Sequence, residues 1–337
     1  MSSIEELENS TRIKSPTGAD VWIPNNVDTQ VDQYTSLKTS QEIQAYYNNN
    51  GYVVLRNLIS SDLCDQARSI FKSQVKPYSG YLYRQASGNP EKHIFTEYGY
   101  MLNSLLNIQD LPTSEFSDFK DLGLQILTHA NMHQVLLALF GEPARIIQTM
   151  YFEGNPSTWA HQDTYYLDSS DLGKMCAAWI AVEDIQPGAG RFYIYPGSHK
   201  IDLSKNGGDF DIAFNHQRYK QLVISIIKKY QLECRAPALN KGDVLFWNAK
   251  TIHGSLETTQ PQYSRSSFTA HYVPRSTQCL QYQRRLLTRK SKTIGNFEVD
   301  YPKDLDEFRN RLIMHLETEY PSQFLFLKRL AIKATLK

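Results

Sequence analysis

The six residues Trp159-Ala160-His161-Gln162-Asp163-Thr164 set an imidazole and a carboxylate two positions apart. On an extended strand, residues i and i+2 point to the same face, so both side chains can reach one ion. Two ligands do not complete a site. A further histidine would make a facial set of two imidazoles and one carboxylate, which leaves coordination positions open and suits non-haem iron.

The surrounding composition is that of a globular protein with a substantial core, 41% hydrophobic and 21% charged over 337 residues. Lys and Arg total 36 against 35 Asp and Glu, a net charge of +1, which removes the electrostatic case for a nucleic-acid partner. Cys64, Cys176, Cys234 and Cys279 are far apart and form no C-x-x-C pair. That argues against a zinc ribbon, a redox motif or a disulfide framework. Met1 to Leu7 has neither a basic region nor an apolar one, and no apolar run approaches the roughly 18 residues of a membrane span. A soluble, cytoplasmic protein with no membrane span is the expectation.

Residues 1–39 are polar and weakly periodic, and read as an irregular arm anchored by Trp22 and Ile23. A short helix is expected over 40–50, stopped at Asn48-Asn49-Asn50-Gly51, then a strand at Tyr52 to Arg56. Ser60-Ser61-Asp62 offers N-cap chemistry for a helix to about residue 74. The Gly-, Pro- and Tyr-rich stretch 77–100 reads as loop with a broken strand, and 101–140 as mainly helical. Strands are expected at 144–152, 158–165, 176–184, 191–195, 232–238, 243–247 and 264–273, with a polar helical insertion near 208–231. So many strands at this spacing suggest a sandwich or barrel. A basic segment and a C-terminal helix, about 303–333, complete the chain.

The candidate third ligand is His253, in Thr251-Ile252-His253-Gly254-Ser255, which follows the apolar run Asp243 to Trp247. Twelve residues later, Arg265, Ser267, Thr269 and His271 share one face of a strand while Phe268 and Ala270 take the other. An arginine turned into a β core needs an anionic partner, because an unpaired buried charge is costly. A small dicarboxylate in the barrel would supply one through a bidentate contact.

This ordered set, with Gly51 to Ile59, Pro187-Gly188-Ala189-Gly190-Arg191-Phe192, Pro196-Gly197-Ser198-His199-Lys200 and Gly242 to Phe246, resembles the phytanoyl-CoA dioxygenase family of Fe(II)/2-oxoglutarate-dependent dioxygenases over about residues 40–275. The resemblance implies a mainly β fold, a double-stranded β-helix (jelly-roll) core with N-terminal and C-terminal helices packed around it. The pattern along the chain puts that core at about 144–275, within a domain of 40–300, with the 301–337 helix packed on or beside it. It implies that His161, Asp163 and His253 bind Fe(II), and that Arg265 pairs with the distal carboxylate of 2-oxoglutarate with Ser267 as a hydroxyl donor beside it. Trp179 would line the cosubstrate site and Gln148 would donate to it. With O2 and ascorbate as a stimulant, the expected reaction is hydroxylation of a small organic molecule. Desaturation, cyclisation or epimerisation begin from the same hydrogen abstraction. Related halogenases have Gly or Ala at the carboxylate position, so Asp163 speaks against halogenation.

Tyr165 lies on the alternation of His161 and Asp163 and His271 on that of Arg265, which makes both candidate substrate contacts. His129 and His133, four apart on a helix, lack a Glu between them and a third ligand, and read as polar helix-face residues. The basic run Arg284 to Lys292 invites a phosphate or CoA reading, but a solvated surface is the reading taken. A competing class is a non-catalytic jelly-roll binding module with a structural metal, which would have no use for Arg265.

Overall fold

The computed structural model describes residues 9–27, 37–208 and 215–326. The first part holds a hairpin, β1 (Ser10–Lys14) and β2 (Asp20–Pro24), then α1 (Ser40–Asn50), β3 (Tyr52–Leu55) and α2 (Ser61–Ile70). Short strands β4 (Leu82–Tyr83), β5 (Pro90–Glu91) and β6 (Leu105–Leu106) precede α3 (Thr113–Leu127) and α4 (Ala130–Phe140). Next come β7 (Ala144–Phe152), β8 (Leu167–Ser169), β9 (Cys176–Ala181), β10 (Phe192–Ile194) and α5 (His216–Lys229). The strands β11 (Val244–Asn248), β12 (His253–Ser255) and β13 (Ser267–Pro274) follow. The chain then runs through β14 (Cys279–Gln281), β15 (Arg285–Leu287), β16 (Lys290–Ile294), β17 (Phe297–Tyr301) and α6 (Phe308–Glu319).

Helix starts follow side-chain chemistry. Thr39 and Glu42 form a capping box at the start of α1, and Gly51 ends that helix at φ 78°. Ser60 accepts from the amide of Leu63 to cap α2. Such caps are each worth about 1 kcal/mol.

The major sheet runs β16-β17-β7-β13-β9-β11-β3, with β6 also paired to β7. Only the β17–β7 contact is parallel. Strand alternation sorts its two faces. On β13, Phe268 packs outward on Phe119 and Tyr151 with ring centroids 5.9 and 4.9 Å apart, and the Tyr272 hydroxyl donates to Leu127 O at 2.9 Å. Helices α1 to α4 cover this face and share its core, where each fully buried large side chain contributes about 1.5–3 kcal/mol. The other face carries Thr269 and His271 toward the second layer. That layer pairs β10 with β12, extended at one edge by the bridge His161↔His253 and at the other by Ile194↔Arg235. The result is the expected mainly β, double-stranded β-helix with flanking helices.

Several elements differ from the sequence reading. Part of the N-terminal arm is a regular hairpin: Ile13 and Ile23 are buried, whereas Trp22 is exposed, and the Arg191 guanidinium donates to the carbonyls of Pro24 and Asn25. The strand expected at 158–165 is a single bridged residue followed by a 3-10 turn, Asp163–Tyr165. The strand expected at 232–238 shrinks to the bridge at Arg235. The helical stretch 101–140 begins only at Thr113 and breaks at Thr128-His129. Beyond residue 275, β16 and β17 enlarge the major sheet, and β17 crosses the 300/301 boundary expected between domain and C-terminal helix. Helix α6 is shorter than expected and buries none of its residues; the Tyr83 hydroxyl donates to its Glu317 at 2.7 Å. Residues 327–333 of the expected helix lie outside the described residues.

Candidate active site

His253 opens β12, and its partner across the ladder is His161: each backbone amide donates to the other's carbonyl at 3.0 Å. That register sets the two imidazoles side by side, ring centroids 4.3 Å apart. Asp163 then turns into the 3-10 segment, which folds its carboxylate back so that Oδ1 lies 3.4 Å from His161 Nε2 and 3.5 Å from His253 Nε2. The three donor atoms lie within 4.8 Å of one another. The convergence is the expected one, though its cause is strand register plus a turn rather than two alternate residues of one strand.

Both histidines are oriented by the same device. His161 Nδ1 is 2.8 Å from Trp159 O and His253 Nδ1 is 2.9 Å from Thr251 O. A carbonyl can only accept, so the proton sits on Nδ1 and the Nε2 lone pair is free for a metal. Burial opposes charge on Asp163, yet the imidazoles of His253, His161 and His271 hold the carboxyl well below the usual range. Burial pushes His253 down to about 4 despite the opposing pull of Asp163. A carboxylate and a neutral imidazole are the forms that metal binding requires.

A cavity of about 70 Å³ adjoins these donors. A single water needs roughly 10–15 Å³ on the same measure, so there is room for a small molecule. Met150, Phe152, Trp179, Phe192 and Thr269 line it, and Arg265 stands in its wall. The Arg265 guanidinium lies 5.7 Å from the Phe152 ring centre and 5.9 Å from that of Trp179, and Nη1 donates to Gly190 O at 3.0 Å. Its Nε is buried without a hydrogen-bond partner, as is Thr269 Oγ1, and no carboxylate of the described residues pairs with it. Burial lowers Arg265 to about 10, which leaves it charged at neutral pH. A buried cation with an idle donor beside a cavity fits a carboxylate ligand. Two imidazoles and one carboxylate fit a hexacoordinate iron with three positions left for other ligands.

The remaining expectations separate. Trp179 lines the cavity, and so does His271, whose Nε2 lies 3.5 Å from Asp163 Oδ2. Ser267 is buried on the Arg265 alternation but does not line the cavity; its hydroxyl donates to Arg265 O at 3.4 Å. Gln148 sits opposite His271 on β7, outside the lining, whereas Met150 and Phe152 on the same alternation are in it. Tyr165 is a correction: the turn after Gln162 ends the alternation and packs its ring 4.5 Å from Tyr219, within a separate core cluster. It is Tyr166 whose ring approaches His161, at 6.2 Å. His129 caps α4 and His133 packs on Phe297, with no metal set around them among the described residues. In the basic run, Arg289 donates to Ile147 O at 2.5 Å, while Lys290 and Lys292 pair with Glu307 and Asp304 at 2.6 and 2.9 Å. Those cations serve the fold. Trp247, Phe192 and Gln85 line the cavity without having been singled out, since only a register could distinguish them from ordinary core or loop residues.

A double-stranded β-helix with this donor set and this arginine defines a class, the Fe(II)/2-oxoglutarate oxygenases. More narrowly, the phytanoyl-CoA dioxygenase (PhyH) family model matches residues 47–267, and the chain belongs to that family. It is 22% identical over 299 residues to the peroxisomal phytanoyl-CoA dioxygenase of Mus musculus, covering 81% of this chain and 82% of that one. It is 23% identical to the phytanoyl-CoA dioxygenase domain-containing protein 1 of Danio rerio, covering 70% and 90%. Among solved structures, the non-haem alpha-ketoglutarate-dependent epimerase SnoN from nogalamycin biosynthesis superposes with TM-score 0.53 at 16% identity, covering 72% of this chain and 85% of that one. EctD from S. alaskensis with 2-oxoglutarate and 5-hydroxyectoine superposes with TM-score 0.51 at 14% identity, covering 85% and 93%. At these identities the superpositions speak to the fold. Among the described residues no helix is long and apolar enough to cross a membrane.

Proposed function

We propose that the protein hydroxylates an unactivated C–H bond of a small organic molecule. The balance is substrate, O2 and 2-oxoglutarate to hydroxylated substrate, succinate and CO2. The observation that carries this reading is Arg265, a buried guanidinium with an idle Nε in the wall of a cavity that also holds His161, Asp163 and His253. A structural metal site would need no such arginine.

In this reading His161 Nε2, Asp163 Oδ1 and His253 Nε2 hold Fe(II), and Arg265 takes the distal carboxylate of 2-oxoglutarate. Bound together, iron and 2-oxoglutarate supply oxidative decarboxylation by O2 and abstraction of a substrate hydrogen. The chain's own contribution is position and shelter. Trp179, Phe152 and Met150 wall the cosubstrate from water, and Thr269 offers it a buried hydroxyl. Ser267 packs against the Arg265 backbone and acts through it. Asp163 fills the position that a halide would need. Substrate enters on the His161 side, where that ligand is the most exposed of the three and Tyr166 stands beside it.

The test is product analysis after aerobic incubation with Fe(II), 2-oxoglutarate, ascorbate and candidate substrates. Succinate formed in step with a substrate gaining one oxygen supports hydroxylation. Succinate with a desaturated, cyclised or epimerised product keeps the hydrogen abstraction and rejects the hydroxyl outcome. Oxidation that proceeds without 2-oxoglutarate would overturn the reading.

A further inference from the structure

We propose that Trp247 is a positioning residue for Asp163, whose indole N–H restricts the carboxylate to ligation through one oxygen. The inference rests on reading His161, Asp163 and His253 as the metal ligands. The two carboxylate oxygens have different surroundings. Oδ1 faces both imidazole Nε2 atoms at 3.4 and 3.5 Å, whereas Oδ2 accepts the Trp247 Nε1 hydrogen at 2.8 Å and faces His271 Nε2 at 3.5 Å.

The sheet builds this arrangement from one row of side chains. Trp247 on β11 is paired with Ala177 on β9, and Ala177 with His271 on β13. The small side chain of Ala177 stands between two large rings whose centres lie 6.4 Å apart, and Asp163 Oδ2 contacts both rings. The indole cannot swing away, because Phe192 and His253 lie 4.8 and 5.0 Å from it, ring centre to ring centre. An indole N–H donates and cannot accept, and a buried donor needs its partner. If Oδ2 rotated toward a metal, the buried N–H would lose the bond it makes now. An indole N–H does not titrate in water, so its hold is the same at any working pH. Monodentate Asp163 leaves one more coordination position free than a chelating carboxylate would.

The experiment compares Mn(II) binding by wild-type protein and Trp247→Phe, in titration calorimetry and by electron paramagnetic resonance. Phenylalanine keeps the apolar packing and removes the N–H. We expect Mn(II) to bind the variant about 10- to 100-fold more weakly, the usual loss when an outer partner of a ligand is removed, with an altered resonance spectrum. Equal affinity and an unchanged spectrum would overturn the role of Trp247 and leave the metal site intact. A wild-type protein that binds no Mn(II) would overturn both readings at once. Should Trp247→Phe not fold, wild-type protein labelled with 15N at its 4 tryptophan indoles serves instead. One exchange-protected, downfield indole N–H that shifts when Zn(II) is added is expected. The absence of any such resonance would overturn the proposal.

Discussion

Arg265 concentrates the chemistry at the residue scale. Its charge is buried, its Nε is idle, and the one described hydrogen bond of its side chain goes to the carbonyl of Gly190. Truncating one partner of a buried charge pair costs about 2–5 kcal/mol. Arg265→Ala should therefore weaken 2-oxoglutarate binding roughly 30-fold or more, read by calorimetry on Mn(II)-loaded protein, while Mn(II) affinity stays within a few-fold of wild type. Equal loss of both ligands would mean that Arg265 supports the fold and not the cosubstrate. Arg265 was legible because an arginine on the inward alternation of a strand calls for an anion. His253 was legible only through its spacing from that arginine. Tyr165 was misread because the alternation that links it to His161 stops where the backbone turns after Gln162. Trp247 lies in an apolar run whose residues all look like core until a register shows which of them meets Asp163.

Elements act here through register. Ala177 is the small residue between Trp247 and His271, and adding methyl groups at such a packed position costs typically about 1–3 kcal/mol. Ala177→Val should lower the melting temperature modestly and reduce Mn(II) affinity far more than that loss alone suggests, because the new methyls press on the Trp247 and His271 rings, both of which contact Asp163 Oδ2. Unchanged Mn(II) binding in a folded Ala177→Val protein would contradict the packing described. Gly190 makes a second case. It sits at φ 81°, and a Cβ there would come within 2.9 Å of Leu256 O. Gly190→Ala should shift the carbonyl that holds Arg265 and weaken 2-oxoglutarate binding, measured as above. The strands β7, β11 and β13 were readable from apolar runs and alternation. The hairpin β1–β2 was not, because polar residues separate its few apolar ones, and β14 to β17 fell in a stretch read for charge instead of pattern.

Across the whole molecule, the segment that follows β17 is tied to the turn before α3 through Asp110. Its Oδ2 accepts from the amide of Lys303 at 3.0 Å, its carbonyl accepts from Leu305 N at 2.9 Å, and Oδ1 has no partner. Burial raises its pKa to about 7, against roughly 3.9 in an unfolded chain. The folded state therefore holds a proton that the unfolded state has released, and the associated stability is full below about pH 4 and lost as pH rises to about 7. Relative to Asp110→Asn, wild-type protein should lose melting temperature across that window, and parallel curves would contradict the assignment. The jelly-roll class and the metal triad were readable from three short motifs, whereas the enlarged sheet and its C-terminal anchoring depend on distant partners that no local pattern names. The central claim concerns the two ligands that the site is built for. Its most direct test is anaerobic calorimetry of 2-oxoglutarate with Fe(II)-loaded protein, followed by admission of air. One equivalent should bind only when iron is present, binding should be lost in Asp163→Ala, and succinate should form only after O2 enters. Binding of neither iron nor 2-oxoglutarate by the wild-type protein, or succinate formed without O2, would contradict the account.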